Sequence, residues 1–298
     1  MTSEQGAAAK NLSKIYSDVD KPGNEYLVAS RGVMRGLIAP LLPQMGLTEE
    51  MGTPVDLFDG ACGTGLFTQE IQDTIPKDVL EKSTILCGDN SEQMVAIVKR
   101  RIADEGWVNT TATVLDVRDT GLPDNSFSHV GLGLTLHLIP NPDTVLTDCK
   151  RILKPGGIFG ATTFHPSSTF WLPDFRSAFA SFPFDAPFPA TLKMQQHADG
   201  DWTDPAWIEQ HLRAQGFADV QVTLNPGTYR VKSADEFMRS FGSMLAWVTS
   251  TWWSEETIKA HPLAEVKGLM GRYLEEKYGG EGWEIQHAVI CMTGRVEK

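Results

Sequence analysis

The sequence is short of cysteine, of positive charge and of long apolar runs, and each shortage excludes a class of protein. Its 298 residues include four cysteines, which lie far apart and form no CxxC pair. A disulfide framework or a zinc site is therefore not expected. Lysine and arginine number 26 against 38 acidic residues, a formal net charge of -12. Because nucleic-acid binding needs a broad basic surface, we predict a small-molecule partner and no nucleic acid.

The sequence also gives no sign of a membrane partner. No apolar run approaches the ~18 residues that a spanning helix needs, and the first ten residues lack the apolar core of a secretory signal. The acidic balance disfavours an anionic lipid surface as well. The remaining composition, 41% hydrophobic and 21% charged, is that of a globular protein. We therefore predict a cytoplasmic protein.

Strands and helices alternate through the middle of the chain. Short apolar runs bounded by turn residues predict strands, and apolar residues at helical spacing predict the helices between them. The predicted strands span 55–59, 84–89, 112–115, 127–132 and 158–164, with two more at 216–224 and 286–296. The predicted helices span 24–42, 66–75, 91–104, 142–153 and 205–215. This alternation is typical of an α/β fold with a mostly parallel sheet.

Two aromatic-rich segments lie outside this alternation. Residues 166–204 carry phenylalanine and tryptophan among prolines, and residues 233–284 carry four tryptophans in mainly helical patterns. No linker or repeat separates these segments from the rest. We predict a single domain over 1–298, with a core at about 53–165 and cap elements at about 1–50, 166–204 and 233–284.

The strongest chemical signal is a loop of small residues after the first predicted strand. It reads Asp59-Gly60-Ala61-Cys62-Gly63-Thr64-Gly65 and leads directly into a helix. Glycine permits a tight turn and a close approach of backbone to ligand. Such a ligand would lie beyond the carboxyl end of the strand, near the helix N-terminus. The plain alternative is a strand-to-helix turn that binds nothing.

Two more predicted strands also end in aspartate. Asp89 follows the loop by about two dozen residues, where an acid can accept hydrogen bonds from both hydroxyls of a ribose. Asp116 is placed to accept a hydrogen bond from an adenine amino group, with Val117 and Met94 against the ring. Each residue alone is explained by a turn, a cap or the core. Three successive strands that end in aspartate together predict a nucleotide-type ligand.

With these motifs the chain resembles the class I S-adenosylmethionine-dependent methyltransferases, especially those of ubiquinone and menaquinone biosynthesis and the fungal small-molecule enzymes. The resemblance covers about residues 53–165, and Ala61 stands where the first of three glycines is usual in the family. Besides the loop, Asp89 and Asp116, the matching stretches are Leu134-Thr135-Leu136-His137 and Arg151-Ile152-Leu153-Lys154-Pro155-Gly156-Gly157.

The resemblance implies a Rossmann-like seven-stranded sheet whose last strand is antiparallel. It implies S-adenosylmethionine as cofactor, S-adenosylhomocysteine as product and no metal. The residues that it places against the cofactor are Tyr16, Asp59, Gly60, Ala61, Gly63, Gly65, Asp89, Asn90, Met94, Asp116, Val117, Leu134 and Thr135.

Residues on the acceptor side are predicted from their position and type. His137 and His165 follow predicted strands at the carboxyl edge of the sheet, and either can serve as a general base. Phe170, Trp171 and Trp247 are candidates to line a pocket for a flat or apolar acceptor. The alternative for all five is an ordinary structural role.

We therefore predict S-adenosylmethionine-dependent methyl transfer to a small molecule. Similarity to the fungal enzymes suggests a secondary metabolite, including a thiol of the epidithiodiketopiperazine kind. The acceptor atom (O, S, N or C) and the oligomeric state stay open. One alternative is an NAD(P)-dependent oxidoreductase, whose usual pattern would need glycine where Thr68 stands. Another is a methyltransferase fold without methyl-transfer activity.

Overall fold

The computed structural model describes residues 32–297, and its central feature is a sheet of seven strands. The strands are β1 (Asp56–Gly60), β2 (Thr84–Asp89), β3 (Thr110–Val114), β4 (Phe127–Leu132), β5 (Leu153–Phe164), β6 (Ala218–Val231) and β7 (Trp283–Arg295). Their order across the sheet is β3-β2-β1-β4-β5-β7-β6. β1 to β5 pair in parallel, and β7 is antiparallel to β5. The predicted Rossmann-like sheet is confirmed.

Four helices lie close to the predicted bounds at 66–75, 91–104, 142–153 and 205–215, and the others had no predicted bounds or different ones. The helices are α2 (Leu66–Thr74), α3 (Lys77–Leu80), α4 (Glu92–Glu105), α5 (Pro142–Ile152), α6 (Leu172–Phe179), α7 (Pro205–Ala214), α8 (Ala234–Trp252), α9 (Glu255–Ala260) and α10 (Leu263–Tyr278), after a short α1 (Leu41–Gln44). Ser91 caps α4, because its side chain accepts a hydrogen bond from the Met94 backbone N–H.

The predicted helix at 24–42 is wrong over the part that the structure describes. Val33–Leu37 forms a 3-10 helix, and α1 begins only at Leu41. Pro40 lies between them and has no N–H to continue a helical hydrogen-bond series. Residues 24–31 lie outside the described residues.

The fifth strand was predicted to start at residue 158, but β5 starts at Leu153 and includes Lys154-Pro155-Gly156-Gly157. Phe127 of β4 pairs with Leu153, and His129 then pairs with Ile158, so four residues of β5 bulge out opposite one residue of β4. Gly156 supplies the left-handed backbone of this bulge, with φ +74°. Hydrogen bonding resumes beyond the bulge, which is why the strand starts earlier than predicted.

The core of the parallel sheet is covered on both faces, so its strands are apolar along their length. Phe58, Val130 and Phe159, on β1, β4 and β5, are completely buried. Gly131 on β4 allows α2 to approach closely, since a Cβ at that position would lie 2.0 Å from the Phe67 ring. This close packing fixes the helix that follows the small-residue loop.

Contacts within the chain define two compact units. The sheet unit comprises residues 34–165, 197–225 and 289–297, and the aromatic unit comprises residues 32–33, 166–196 and 226–288. The sheet unit contains all four cysteines, which are free and buried. The single-domain interpretation of the chain stays a prediction.

The aromatic unit is organised around a buried carboxylate on α6. Asp174 accepts hydrogen bonds from the Lys277 ammonium at 2.7 Å, the Tyr278 hydroxyl at 2.6 Å and the Trp283 indole N–H at 3.1 Å. The Tyr278 and Trp283 rings are stacked, with centroids 4.0 Å apart. A buried charge is tolerated when it is paired and hydrogen-bonded. Asp174 therefore ties α6 to the end of α10 and the start of β7.

Candidate functional site

The small-residue loop and Asp89 meet at the carboxyl ends of two adjacent parallel strands. Gly60 of β1 lies opposite Gly88 of β2. The Cys62 N–H donates to the Gly88 carbonyl at 3.0 Å, and the Gly63 N–H donates to Asp89 Oδ2 at 2.9 Å. Parallel pairing thus brings together residues that are far apart in sequence.

Three residues of the loop have left-handed backbone: Ala61, Gly63 and Gly65, with φ of 50°, 53° and 80°. A Cβ at Gly65 would lie 2.9 Å from the Trp107 ring, so that glycine is required by packing. A Cβ at Gly63 would meet nothing within 4 Å, so the loop is open on that side. Ala61 holds the conformation in which the family's glycine is free of strain, which makes this departure mildly unfavourable.

Asp89 keeps capacity to bind a ligand although both its oxygens already accept backbone hydrogen bonds. Oδ1 accepts from the Ser91 N–H at 2.9 Å and Oδ2 accepts from Gly63. An ionised carboxylate offers about four lone-pair sites, so about two remain for hydroxyl donors. Burial raises the pKa of Asp89. A carboxylate with unused acceptor sites suits the hydroxyl donors of a ribose.

Asp59 is the most deeply buried acid beside the loop, with 1% of its surface exposed. Oδ2 accepts from the Thr68 hydroxyl at 2.7 Å and the Thr68 N–H at 3.2 Å. Oδ1 has no hydrogen-bond partner among residues 32–297. Burial raises the pKa of Asp59 to about 7, although the hydrogen bonds from Thr68 oppose this rise. An unpaired buried oxygen at this place fits a hydrogen-bond donor from a ligand.

The adenine-side residues are arranged differently from one another. Asp116 is half-buried and forms an ion pair with Arg118, whose Nη2 lies 2.5 Å from Oδ2. The hydrogen bond from Arg118 lowers the pKa of Asp116. Val117 and Met94 are buried, and Asn90 is exposed. The adenine role of Asp116 stays a prediction and requires an adenine amino group to share or replace the Arg118 contact.

The turn after β4 carries three of the predicted residues. Leu134 has φ +54°, and its N–H donates to the Thr162 hydroxyl at 3.0 Å. The Thr135 hydroxyl donates to the Gly133 carbonyl at 2.9 Å. His137 is 1% exposed and lies edge-on to the Phe164 ring, and burial lowers its pKa to about 3.

The remaining predicted residues are dispersed. His165 directly follows β5 and is half-buried. Phe170, Trp171 and Trp247 are buried in the aromatic unit. Their role in an acceptor pocket stays a prediction. Tyr16 lies outside the described residues.

Two residues with clear structural roles were not singled out from the sequence for those roles. Thr68 holds Asp59 from the first turn of α2, and its position in the loop-to-helix pattern was the available signal. His197 donates to the Leu136 carbonyl at 2.8 Å across 61 positions of sequence. It belongs to an irregular segment without periodicity, so no sequence pattern indicated it.

Cys62 lies in the loop but is not suited to act as a nucleophile. A hydrogen bond with Cys87 and burial raise the pKa of its thiol well above the usual range. A nucleophilic cysteine needs the opposite shift. Within residues 32–297, no cluster of three or more histidine, cysteine or acidic side chains is placed to hold a metal ion.

Comparisons with known proteins identify the family of this chain. Residues 58–161 match the family model described as a methyltransferase domain. Methyltransferase ktnA of Aspergillus niger is 30% identical over 80% of this chain and 84% of its own. The acetylaranotin bis-thiomethyltransferase of Aspergillus terreus is 27% identical over 86% of this chain and 87% of its own.

One solved structure shows the same fold at low sequence identity. It is the Haemonchus contortus phosphoethanolamine N-methyltransferase 2 in complex with phosphomonomethylethanolamine and S-adenosylhomocysteine. The TM-score is 0.50 at 18% identity, covering 87% of this chain and 52% of that one. The sheet order, the domain match and the similarity to whole-length relatives show that the chain belongs to the class I S-adenosylmethionine-dependent methyltransferases.

Proposed function

We propose that this methyltransferase transfers the methyl group of S-adenosylmethionine to a small secondary metabolite, with a thiol as the favoured acceptor. The observation that carries the acceptor proposal is the similarity to the Aspergillus terreus bis-thiomethyltransferase. That similarity spans 86% of the chain and therefore extends well beyond the methyltransferase domain at 58–161. The segments outside the domain are where members of one fold differ in substrate.

The residues around the loop fit the cofactor in character. Asp89 would accept hydrogen bonds from the ribose hydroxyls, and the free oxygen of Asp59 would accept from the ammonium of the methionine part. The open side of Gly63 leaves room beside the loop. Asn90, Met94, Asp116 and Val117 would lie on the adenine side. The other proposed contacts come from Gly60, Ala61, Gly65, Leu134, Thr135 and Tyr16.

When bound, the cofactor supplies a methyl group already activated by its sulfonium sulfur. The protein's contribution is then to hold an acceptor in line with that methyl group and to exclude water. Phe170, Trp171 and Trp247 are proposed to shape the acceptor pocket. His137 and His165 are the proposed catalytic residues on the acceptor side.

The setting of the reaction is also part of the proposal. Four buried, reduced cysteines and the net charge of -12 support a cytoplasmic enzyme that has no nucleic-acid partner. No helix among residues 32–297 is long and apolar enough to cross a membrane.

Calorimetric titration with S-adenosylhomocysteine, with NAD as control ligand, tests the cofactor site. We expect binding of S-adenosylhomocysteine alone. Thiophenol, catechol and aniline, each incubated with S-adenosylmethionine and enzyme, then compare sulfur, oxygen and nitrogen acceptors by release of S-adenosylhomocysteine. Preferred turnover of thiophenol supports the thiol proposal. Preferred turnover of catechol or aniline would replace sulfur with oxygen or nitrogen.

A further inference from the structure

The turn after β4 contains a buried imidazole that forms no hydrogen bond with any described residue. Neither ring nitrogen of His137 has a hydrogen-bond partner among residues 32–297. The Phe164 ring lies edge-on to it, with centroids 5.1 Å apart, and offers an apolar contact. Each buried unpaired polar atom costs about 1–3 kcal/mol, and native structures contain few of them. His137 therefore has two buried nitrogens whose hydrogen-bonding capacity is unused within residues 32–297.

A second histidine fixes the backbone beside His137. The Asp199 N–H donates to His197 Nδ1 at 3.2 Å, so Nδ1 carries a lone pair and the proton is on Nε2. Nε2 then donates to the carbonyl of Leu136, the residue just before His137, at 2.8 Å. His197 is buried, and its hydrogen bonds define one neutral tautomer.

The segment that carries His197 is itself held by two further hydrogen bonds to the sheet unit. Asp199 accepts from the Asn141 N–H at 3.0 Å, in the chain that follows β4. The Trp202 carbonyl accepts from the Thr163 hydroxyl at 2.7 Å, near the end of β5. The segment around His197 is therefore held by contacts with Asn141 and Thr163 as well as by its contact with Leu136.

The other end of the turn is restrained as well. Leu134 adopts a left-handed backbone that is uncommon for a non-glycine residue, and Thr162 of β5 accepts its N–H. Strained backbone of this kind persists where surrounding contacts impose it, and it is concentrated at functional sites. The turn is thus held at Leu134 and at Leu136, with the unpaired ring immediately after.

We propose that His137 contacts the methyl acceptor as a neutral hydrogen-bonding group, that His197 is its positioning residue, and that the acceptor loses its proton to water. This inference rests on the proposed function, because it concerns the acceptor side of the same site. The low pKa of His137, about 3, agrees with it. An imidazole of that basicity is neutral near pH 7 and does not retain a proton taken from an acceptor. The charged or titratable groups nearby are His197 and Asp199.

The proposal restricts the acceptor class. The acceptor's proton goes to solvent, its electron pair forms the bond to the methyl carbon, and the methyl–sulfur bond breaks with its pair remaining on sulfur. Acceptors that ionise appreciably without a protein base meet this requirement: thiols, with a pKa near ~8.5, and acidic phenols or enols. Aliphatic alcohols do not.

Two substitutions of His137 in the full chain separate hydrogen bonding from base catalysis. Glutamine offers an amide donor and acceptor but no base, and phenylalanine offers neither. With thiophenol and S-adenosylmethionine, we expect kcat of His137→Gln within about fivefold of wild type and of His137→Phe lower by about tenfold or more. A loss of about a hundredfold or more in both variants would indicate a base and overturn the proposal. Wild-type rates in both would also overturn it.

Substitution of His197 tests the positioning role. His197→Gln can still donate to the Leu136 carbonyl, and His197→Phe cannot. We expect His197→Phe to lower kcat with thiophenol at unchanged KM for S-adenosylmethionine, and His197→Gln to restore most of the loss. Nitrogen-15 NMR of labelled histidine should show a neutral His137 ring from pH 5.5 to 8, with its signal displaced in His197→Phe. A charged His137 at pH 7, or an unmoved signal with a wild-type rate, would contradict the proposal.

Titration with S-adenosylhomocysteine distinguishes failure of this inference from failure of the proposed function. Wild type and all four variants should bind it equally, because none of the changes removes a proposed cofactor ligand. A wild type that does not bind it refutes the proposed function itself. A wild type that binds it but does not methylate thiophenol refutes the acceptor class.

Discussion

Replacement of Asp59 with asparagine should remove a large pH dependence of stability. The Asp59 carboxyl has a pKa of about 7 in the folded protein against 3.8 for the unperturbed group. Because the folded-state value is the higher one, the folded protein binds this proton more tightly than the unfolded chain. The resulting stability is fully present below about pH 4 and is lost as the pH rises to about 7.

The size of the effect follows from the shift. One pKa unit corresponds to about 1.4 kcal/mol, so the full shift amounts to on the order of 4 kcal/mol. Urea unfolding of the ligand-free protein at pH 4.5 and pH 8 measures it. In wild type, the free energy of unfolding should fall as the pH rises from 4.5 to 8. In Asp59→Asn, we expect this fall to be smaller by on the order of 2–4 kcal/mol. The asparagine oxygen can still accept the Thr68 hydrogen bonds.

Asp56→Asn is the matched control on the same strand. The Asp56 carboxyl pairs with Lys154, which lowers its pKa, so this group stabilises the folded protein at higher pH. Its replacement should not reduce the loss of stability that Asp59 causes as pH rises. If wild type and Asp59→Asn show the same difference between the two pH values, Asp59 is ionised normally and our account of its burial is wrong.

The other predictions concern the loop, the ribose acid and the aromatic unit. Gly65→Ala should lower the free energy of unfolding by ~2 kcal/mol or more, because the new methyl group would clash with the Trp107 ring at a left-handed backbone position. Gly63→Ala should lower it by about 1–2 kcal/mol and mainly weaken S-adenosylhomocysteine binding. Equal losses of stability in the two variants would contradict the open side of the loop. Asp89→Ala should weaken calorimetric affinity for S-adenosylhomocysteine more than tenfold, about 1.4 kcal/mol, and unchanged affinity in a folded variant would remove Asp89 from the site. Asp174→Ala should lower the free energy of unfolding by about 3 kcal/mol or more, and with it the thermal midpoint, because it leaves the Lys277 ammonium and two further donors without their acceptor. Lys277→Met should lower the midpoint less, because Asp174 then keeps its two neutral donors.

The sheet was predictable because its strands are bounded by residues that favour turns or helix caps. Thr84–Asp89 has the predicted limits, since an apolar run ends there in an acid and a capping serine follows. The bulge at 154–157 was not predictable in the same way. Its glycines signal a turn, but only pairing with β4 reveals that the strand has already begun at Leu153.

Short helices near the start of the described chain show a second limit. Apolar spacing over a few residues does not distinguish a 3-10 helix from an α-helix, and the break at Pro40 is a single residue. Periodicity becomes decisive only over several turns, as in α4 and α8.

The candidate site was predictable where it depends on parallel strand ends. Asp59 and Asp89 approach the same loop because adjacent parallel strands finish at one edge of the sheet. The hydrogen bonds that each of these groups forms were not predictable. Within residues 32–297, Asp59 Oδ1 and both His137 nitrogens lack hydrogen-bond partners, and this depends on which groups the fold places near them. The contact of His197 with Leu136 depends on the path of a segment without regular structure.

The distribution of the cysteines allows thiol labelling to report local opening of the protein. Cys62, Cys87, Cys149 and Cys291 are buried, free and confined to the sheet unit. A thiol-alkylating reagent therefore modifies the native protein only when part of that unit opens, and the four sites mark the loop, β2, α5 and β7 separately. The aromatic unit carries no thiol, so the same reagent does not detect its unfolding. A single cysteine introduced on its surface would accept a fluorescent label while the four native thiols stay protected.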